Sequence, residues 1–412
     1  MSLAIDQERL QAEIDELALI SDAEPPAVTR IVFTAEDLEA RAWLNKKCTE
    51  AGLIIRQDAI GNTFFRWTGT DSNAAAVATG SHIDAIPNAG KYDGVVGVLG
   101  GLEAIRALQR SGFQPKRAIE LILFTSEEPT RFGIGCLGSR VLSGTLSPEA
   151  ARQLKDNVGQ TLVDTLQNAG MPEDLDSVRL AAAYYHAFVE LHIEQGPLLE
   201  QAKIPLGIVA SIAAPASLEV HIEGAGGHAG GMLMPGRKDA LCAASEIILA
   251  AEQAARASGS TDTVATVGIC EVFPGAVNSI PSRVKLTLDL RDTELTRRDR
   301  VLQSIREKAR QVAESRGVSV QFHTVNADAP ASCASVVTDA LMQAARKHNL
   351  PYQTMVSRAY HDSLFMSRIA PTGMLFIPCR NGYSHRPDEF ASTADIGRGV
   401  LILAETLAGL AS

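Results

Sequence analysis

The sequence predicts an α/β fold: a mixed, largely parallel sheet with helices on both faces, interrupted by an inserted α+β sandwich. Three observations carry this. Strand-like and helix-like patterns alternate from about residue 6 to 213, which implies helices layered on a parallel sheet. Around Ala213-Ala214-Pro215 the order changes to β-α-β-β-α-β, the split-βαβ or ferredoxin-like arrangement. After about residue 327 the larger pattern resumes. The expected organisation is a larger domain of 1–213 and 327–412 around an inserted domain of 214–326.

The elements follow in order. "AAAVATGSHID" reads as a strand running into a loop. In "DGVVGVLGGLEAIRALQRSG", Val95, Val98, Leu99, Leu102, Ile105 and Leu108 recur at helical spacing, and Gly112 is the stop. "AIELILFTSEE" is the next strand. In the insert, "SLEVHIEGAG", "DTVATVGICEVF", "SRVKLTLDLRD" and "VSVQFHTV" read as strands. "GRKDALCAASEIILAAEQAARA" and "LTRRDRVLQSIREKARQVAESRG" read as helices, and "SVVTDALMQAARKHNL" returns the chain to the larger domain.

Bulk composition excludes several classes. With 412 residues and 46% of them hydrophobic, the chain can bury the cores of two domains. A net charge of −10 with no basic run argues against nucleic acid or an anionic membrane as partner. The six cysteines are scattered, which fits neither a disulfide framework nor a thiolate metal site. Reduced thiols in a cytoplasm are the expectation. The N-terminal stretch is acidic and amphipathic, unlike a signal peptide. No apolar run reaches the roughly 18 residues of a membrane span.

Chemistry concentrates where strands end, which is where sites lie in such sheets. In "GSHIDAIPNAGKYDGVVG", His82 and Asp84 share a side of an extended segment. Asp84 can orient His82 by accepting its second ring N–H. A surface pair is the plainer alternative. Asp93 stands just before a helix, where the dipole favours an anion. "TSEEPT" ends a core strand on two adjacent acids, Glu127 and Glu128, and a bend there would let both face one cavity. "LHIEQGP" adds His192, and "GYSHRPDEF" adds His385 in a turn-rich loop. Three imidazoles and three carboxylates without a thiol suit zinc, manganese, cobalt or iron. Two metals sharing a carboxylate would suit hydrolysis. A separate carboxylate must then move the proton.

These motifs, in this order and over nearly the whole chain, resemble the M20-type metallopeptidases and amidohydrolases, and within them the hydantoinase/carbamoylase branch. The resemblance implies a dinuclear centre. His82, Asp93 and His192 match the ligands of one metal, and Asp93 (bridging), Glu128 and His385 those of the other. Glu127 matches the general base, and Asp84 the residue that orients His82. Carboxylate-rich ligation and the resemblance favour two manganese ions, with zinc compatible.

The insert has its own candidates. "GAGGHAGGM" places His228 in a glycine-rich loop. The resemblance gives it the partner subunit's active site and the anionic tetrahedral intermediate, hence a homodimer with the insert as lid and dimerisation domain. Asn278 in "FPGAVNSIP" and Arg291 in "LTLDLRD" are matched to gripping the substrate carboxylate, for which Arg is well shaped. A salt bridge from Arg291 to Asp289 or Asp292 is the alternative. Gln195 is matched to the ureido group. Tyr360 and His361 in "SRAYHDS" offer hydrogen bonds to a hydroxyl or ureido group, or ordinary packing in the case of Tyr360. The branch cleaves ureido and related linear amides. "ILFTSEEPTRFGIGCLGSR" and "SRAYHDSLFM" look most like its members that hydrolyse ureidoglycolate to ammonia, CO2 and, in the end, glyoxylate in purine degradation. Members acting on allantoate or N-carbamoyl amino acids, including β-ureidopropionate, come next.

Overall fold

A computed structural model describes residues 3–172 and 174–412. It divides into two compact units. The larger holds the residues up to Ala210 together with Cys333–Met355 and His361–Ser412, and the smaller holds Ser211–Ser332 and Val356–Tyr360. The short return of 356–360 follows from contacts, not periodicity. Ala213 N–H bonds the Ser357 carbonyl, and Arg358 pairs with Asp262 at 2.6 Å.

The larger unit is built on a mixed sheet. Four central strands lie side by side in the order Thr372–Ile377, Tyr185–Ile193, Ala76–Ser81 and Ile119–Leu123, and all run parallel. Thr63–Trp67 and Ile54–Gln57 extend one side antiparallel, and Leu206–Ile212 lies antiparallel to Thr372–Ile377 on the other. The central strands are buried almost throughout because both faces are covered. Successive side chains enter different cores, as the strand period of two requires. Val77, Leu121 and Val189 join a core with the helices Gln7–Ala18, Val95–Arg110 and Thr393–Ala411. Ala78, Ile122 and Phe188 join another with the helix Leu137–Ser143. The helix Val95–Arg110 packs closely because Gly97 has no side chain; a Cβ there would meet the Leu191 carbonyl oxygen at 2.5 Å. None of the described helices is long and apolar enough to cross a membrane.

The smaller unit is an antiparallel four-stranded sheet in the order Val264–Phe273, Arg283–Asp292, Ala214–Glu223, Ser319–Ala327. Leu218, Val220, Leu286 and Leu288 alternate with more exposed residues, and pack with residues of the helices Ala240–Arg256 and Leu295–Arg316. This is the split-βαβ arrangement.

Candidate metal centre

The parallel strands deliver the site. His82 and Asp84 follow the strand Ala76–Ser81, Glu127 and Glu128 follow Ile119–Leu123, and His192 is near the end of Tyr185–Ile193. Asp93 precedes the helix Val95–Arg110, and His385 lies in the loop before Thr393–Ala411. All are therefore near carboxyl ends of strands or the loops beside them, where such sheets place their sites. The two acids of "TSEEPT" are turned by Ser126, which takes φ +54°. Gln195 and His385 also have positive φ, at +54° and +60°. Non-glycine residues in this region carry strain that concentrates at functional sites.

Two groups of ligand atoms share Asp93. One is His82, Asp93 and His192; the other is Asp93, Glu128 and His385. Within each group the atoms lie within 4.8 Å of one another. Asp93 Oδ1 is 3.6 Å from His82 Nε2 and 3.2 Å from His192 Nε2. Asp93 Oδ2 is 3.4 Å from His385 Nε2, which lies 3.1 Å from Glu128 Oε1. Gly94 makes this approach possible. It has φ +65°, and a Cβ there would sit 2.4 Å from His82 Nε2.

The rings are held so that Nε2 faces the site. His82 Nδ1 lies 3.0 Å from the Asp84 carbonyl and His192 Nδ1 2.9 Å from the Ile193 carbonyl. A carbonyl only accepts, so each Nδ1 carries the proton and, in the neutral ring, Nε2 carries the lone pair. The Asp84 carboxylate is 3.6 Å from His82 Nδ1 and is used elsewhere. It accepts the backbone N–H groups of Glu127 (3.2 Å) and Glu128 (3.0 Å). Asp84 thus steadies His82 by its main chain and the two glutamates by its side chain.

The charges fit a divalent ion. Among the described residues, the ion pairs of Asp93, Glu127 and Glu128 are all to imidazoles, with no Lys or Arg. Burial alone would raise the Asp93 carboxyl, but hydrogen bonds from His192, His385 and His82 hold it well below the usual range. Hydrogen bonds to Asp93 and Glu128 push His385 up to about 11. Burial pushes Asp84 up to about 6. Glu127 belongs to neither ligand group. Burial, with the charges of Glu128 and Asp362, keeps its carboxyl well above the usual range although His82 opposes this. A bound dication would be the largest local charge and would favour ionised acids and neutral imidazoles.

A third group, Glu190, His192 and His361, meets the same spacing. Its Glu190 is already engaged: Oε1 accepts from the Ser81 hydroxyl, and Oε2 from the Ser363 N–H and hydroxyl. That is a buried structural anchor. His361 is 2% exposed, with its ring centroid 4.4 Å from that of His192. Gln195 donates from Nε2 to Asp93 Oδ2 (2.6 Å) and Ser384 Oγ (3.1 Å), and its buried Oε1 has no hydrogen-bond partner among the described residues.

In the smaller unit, His228 and Asn278 are neighbours. Gly227–His228 pairs with Ser279–Ile280, and Ala229 N–H bonds the Asn278 carbonyl. His228 Nδ1 accepts from the N–H groups of Gly230 and Gly231, both at 3.1 Å. In the neutral ring Nε2 therefore carries the proton. Arg291 forms the salt bridge with Asp289 at 2.7 Å. Its guanidinium carbon also lies 5.5 Å from the Tyr360 ring centroid. Asp292 is taken by Arg297 and Thr263.

Sequence reasoning missed four residues here. Ser384 donates to Asp93 Oδ2, Cys136 Sγ lies 3.3 Å from Glu127 Oε1, Asp362 accepts from the Ser139 hydroxyl at 2.5 Å, and Glu389 binds backbone beside Asp93. All four lie inside stretches already singled out, which was the available signal.

Comparison with known proteins gives consistent findings. A model described as peptidase family M20/M25/M40 matches residues 78–409. The ureidoglycolate hydrolase of Oryza sativa subsp. japonica is 53% identical over 413 residues, covering 98% of this chain and 85% of the rice protein. The N-carbamoyl-L-amino-acid amidohydrolase of Pseudomonas sp. (strain NS671) is 37% identical over 410 residues, covering 98% and 99%. The crystal structure of AtUAH in complex with (S)-hydroxyglycine superposes with a TM-score of 0.92 at 52% identity, covering 100% of this chain and 99% of that one.

Proposed function

Because the chain belongs to peptidase family M20/M25/M40, we propose that it is a metal-dependent amidohydrolase that cleaves the ureido group of ureidoglycolate. The observation that carries this reading is the sharing of Asp93 between two ligand groups, with Glu127 beside them but in neither. The choice of substrate is supported by 53% identity to the rice ureidoglycolate hydrolase across nearly the whole chain.

His82, Asp93 and His192 would hold one divalent ion, and Asp93, Glu128 and His385 the other. Such ions polarise a carbonyl oxygen and lower the pKa of water. Manganese suits the carboxylate share of the ligands, and zinc is compatible. Glu127 takes the proton of the attacking water and returns it to the leaving nitrogen. Its burial and its like-charged neighbour hold its carboxyl above the usual range, so that once a bound dication ionises it the carboxylate is a stronger acceptor for that proton. Cleavage releases ammonia and CO2 and leads to glyoxylate.

The remaining residues bind. The free Oε1 of Gln195 is an acceptor for a ureido N–H. Nε2–H of His228 is a donor for the developing oxyanion. Arg291 and Asn278 hold the substrate carboxylate, and Tyr360 beside Arg291 lines that end. His361, packed on His192, acts by shaping the wall. His228 serves the active site of a second copy, which makes the enzyme a homodimer. The strand Val264–Phe273 supports this: among the described residues it pairs on one side only, and it exposes Ile269 (50%) and Phe273 (52%), an edge open to another chain. All six thiols are free, which suits a reducing cytoplasm.

Ammonia release from ureidoglycolate, allantoate and N-carbamoyl amino acids with added manganese tests the reading. Fastest turnover of ureidoglycolate is expected. The 37% identity to the Pseudomonas enzyme makes N-carbamoyl amino acids the second candidate. No release from any of these compounds would refute the proposal.

A further inference from the structure

Two ligand-bearing loops nearly 300 residues apart are joined by one side chain outside both ligand groups. Glu389 is 5% exposed. Its Oε1 accepts the backbone N–H of Tyr92 at 2.8 Å and of Asp93 at 3.0 Å. Glu389 stands four residues after His385, so the loop that presents one ligand also grips the backbone of another. The fit is close: a Cβ on Gly90 would lie 2.3 Å from Glu389 Cβ and 2.5 Å from its Oε1. Ser384 adds a bond from the same loop to Asp93 Oδ2.

A buried carboxylate is costly unless its oxygens are bonded, and a charged acceptor bonds N–H more strongly than a neutral one. Neither oxygen of Glu389 is among the grouped ligand atoms. Its second oxygen, Oε2, has no hydrogen-bond partner among the described residues. Core packing does not explain a glutamate at this position. Leucine would fill the volume without that cost. The backbone of Asp93 does explain it, because the shared carboxylate serves both ligand groups only if its Cα is fixed.

We propose that Glu389 is a positioning residue for metal binding: it fixes the backbone of Asp93 and ties it to the His385 loop. The inference rests on the two-ion reading of Asp93. Outer-shell partners of this kind typically contribute about 10–100-fold to metal affinity.

The test is calorimetric titration of Mn2+ into the metal-stripped full-length protein, with melting followed by circular dichroism. E389A should weaken Mn2+ binding by about 10–100-fold. E389Q keeps an acceptor oxygen for both N–H groups and should stay within about 3-fold of wild type. G90A leaves Glu389 in the chain but displaces it, and should weaken binding in the same direction. It also decides the matter if E389A does not fold. With saturating Mn2+, kcat of E389A should recover, which a role in turnover would not allow. Wild-type Mn2+ affinity in folded E389A, or in G90A, overturns the proposal; so does E389Q as weak as E389A. If wild type itself takes up no Mn2+, the two-ion reading fails, and this inference with it.

Discussion

The larger unit and the smaller unit hold their candidate residues in opposite ways. In the larger, His82, Glu127, Glu128 and His192 are all at most 8% exposed, and, apart from the neighbouring carbonyls that orient the two rings, their partners come from distant segments of the same unit. In the smaller, His228 and Asn278 are exposed and are held by bonds within their own loop pair. Arg291 is held by Asp289, two residues away. On the proposed function, the first arrangement is preorganised for an ion and for proton transfer. The second leaves His228 and Asn278 at the surface. Substitutions in the first should therefore change metal content or kcat, and those in the second should leave metal content unaltered and act on kcat or KM.

The sharpest way to break this contrast is Glu127→Gln. It removes the proposed proton carrier and leaves every grouped residue in place. A fall in kcat of about 10²–10⁴-fold is expected, with bound Mn2+ by elemental analysis unchanged. Loss of metal in parallel with activity would make Glu127 a ligand and erase its separate role.

How much of this was legible in the sequence depends on how far apart the interacting groups lie. Short motifs at strand ends were readable, because "SHID", "SEEPT" and "HIEQ" carry their chemistry within a few residues. The Asp289–Arg291 pair was readable for the same reason, since a strand places i and i+2 on one side. The use of the Asp84 carboxylate on the backbone of Glu127 and Glu128 was not, because it depends on the register of two parallel strands. Glu389 was hidden too: it sits inside a quoted motif, but its partners are 296 and 297 positions away. The positive φ of Ser126, which turns the two acids, has no signature in residue type.

The next effect belongs to the smaller unit. His228→Ala should lower kcat by about 10²–10³-fold, the usual loss of one oxyanion donor, with Mn2+ binding unaltered. Mixing it with Glu127→Gln tests whether the site is composite. If His228 serves a second copy, mixed dimers regain one intact site, and activity should recover toward a quarter of wild type on statistical mixing. No recovery after subunit exchange would place His228 in its own chain's site. Arg291→Lys should act more mildly. The charge survives but the fork geometry is lost, so KM should rise about 10-fold with kcat within about 3-fold. A kcat effect larger than the KM effect would count against simple carboxylate binding.

The smallest effect is on stability, and it sharpens the comparison most directly because only one unit should feel it. The larger unit gathers Asp93, Glu127 and Glu128 with three imidazoles in or beside a buried site. Without a cation, burial and mutual repulsion keep Glu127 toward its protonated form, and His385 is held protonated by the acids. A ligand that binds only the folded state stabilises it by about 2.7 kcal/mol at 100 times its Kd. Chelation should therefore lower Tm by a few degrees. Hydrogen exchange should speed up around 82–94, 124–130 and 383–390, while the strand Arg283–Asp292 of the smaller unit stays protected. Uniform loosening of both units would mean that the ion supports the whole fold, and the division between a preorganised centre and independently held binding groups would not stand.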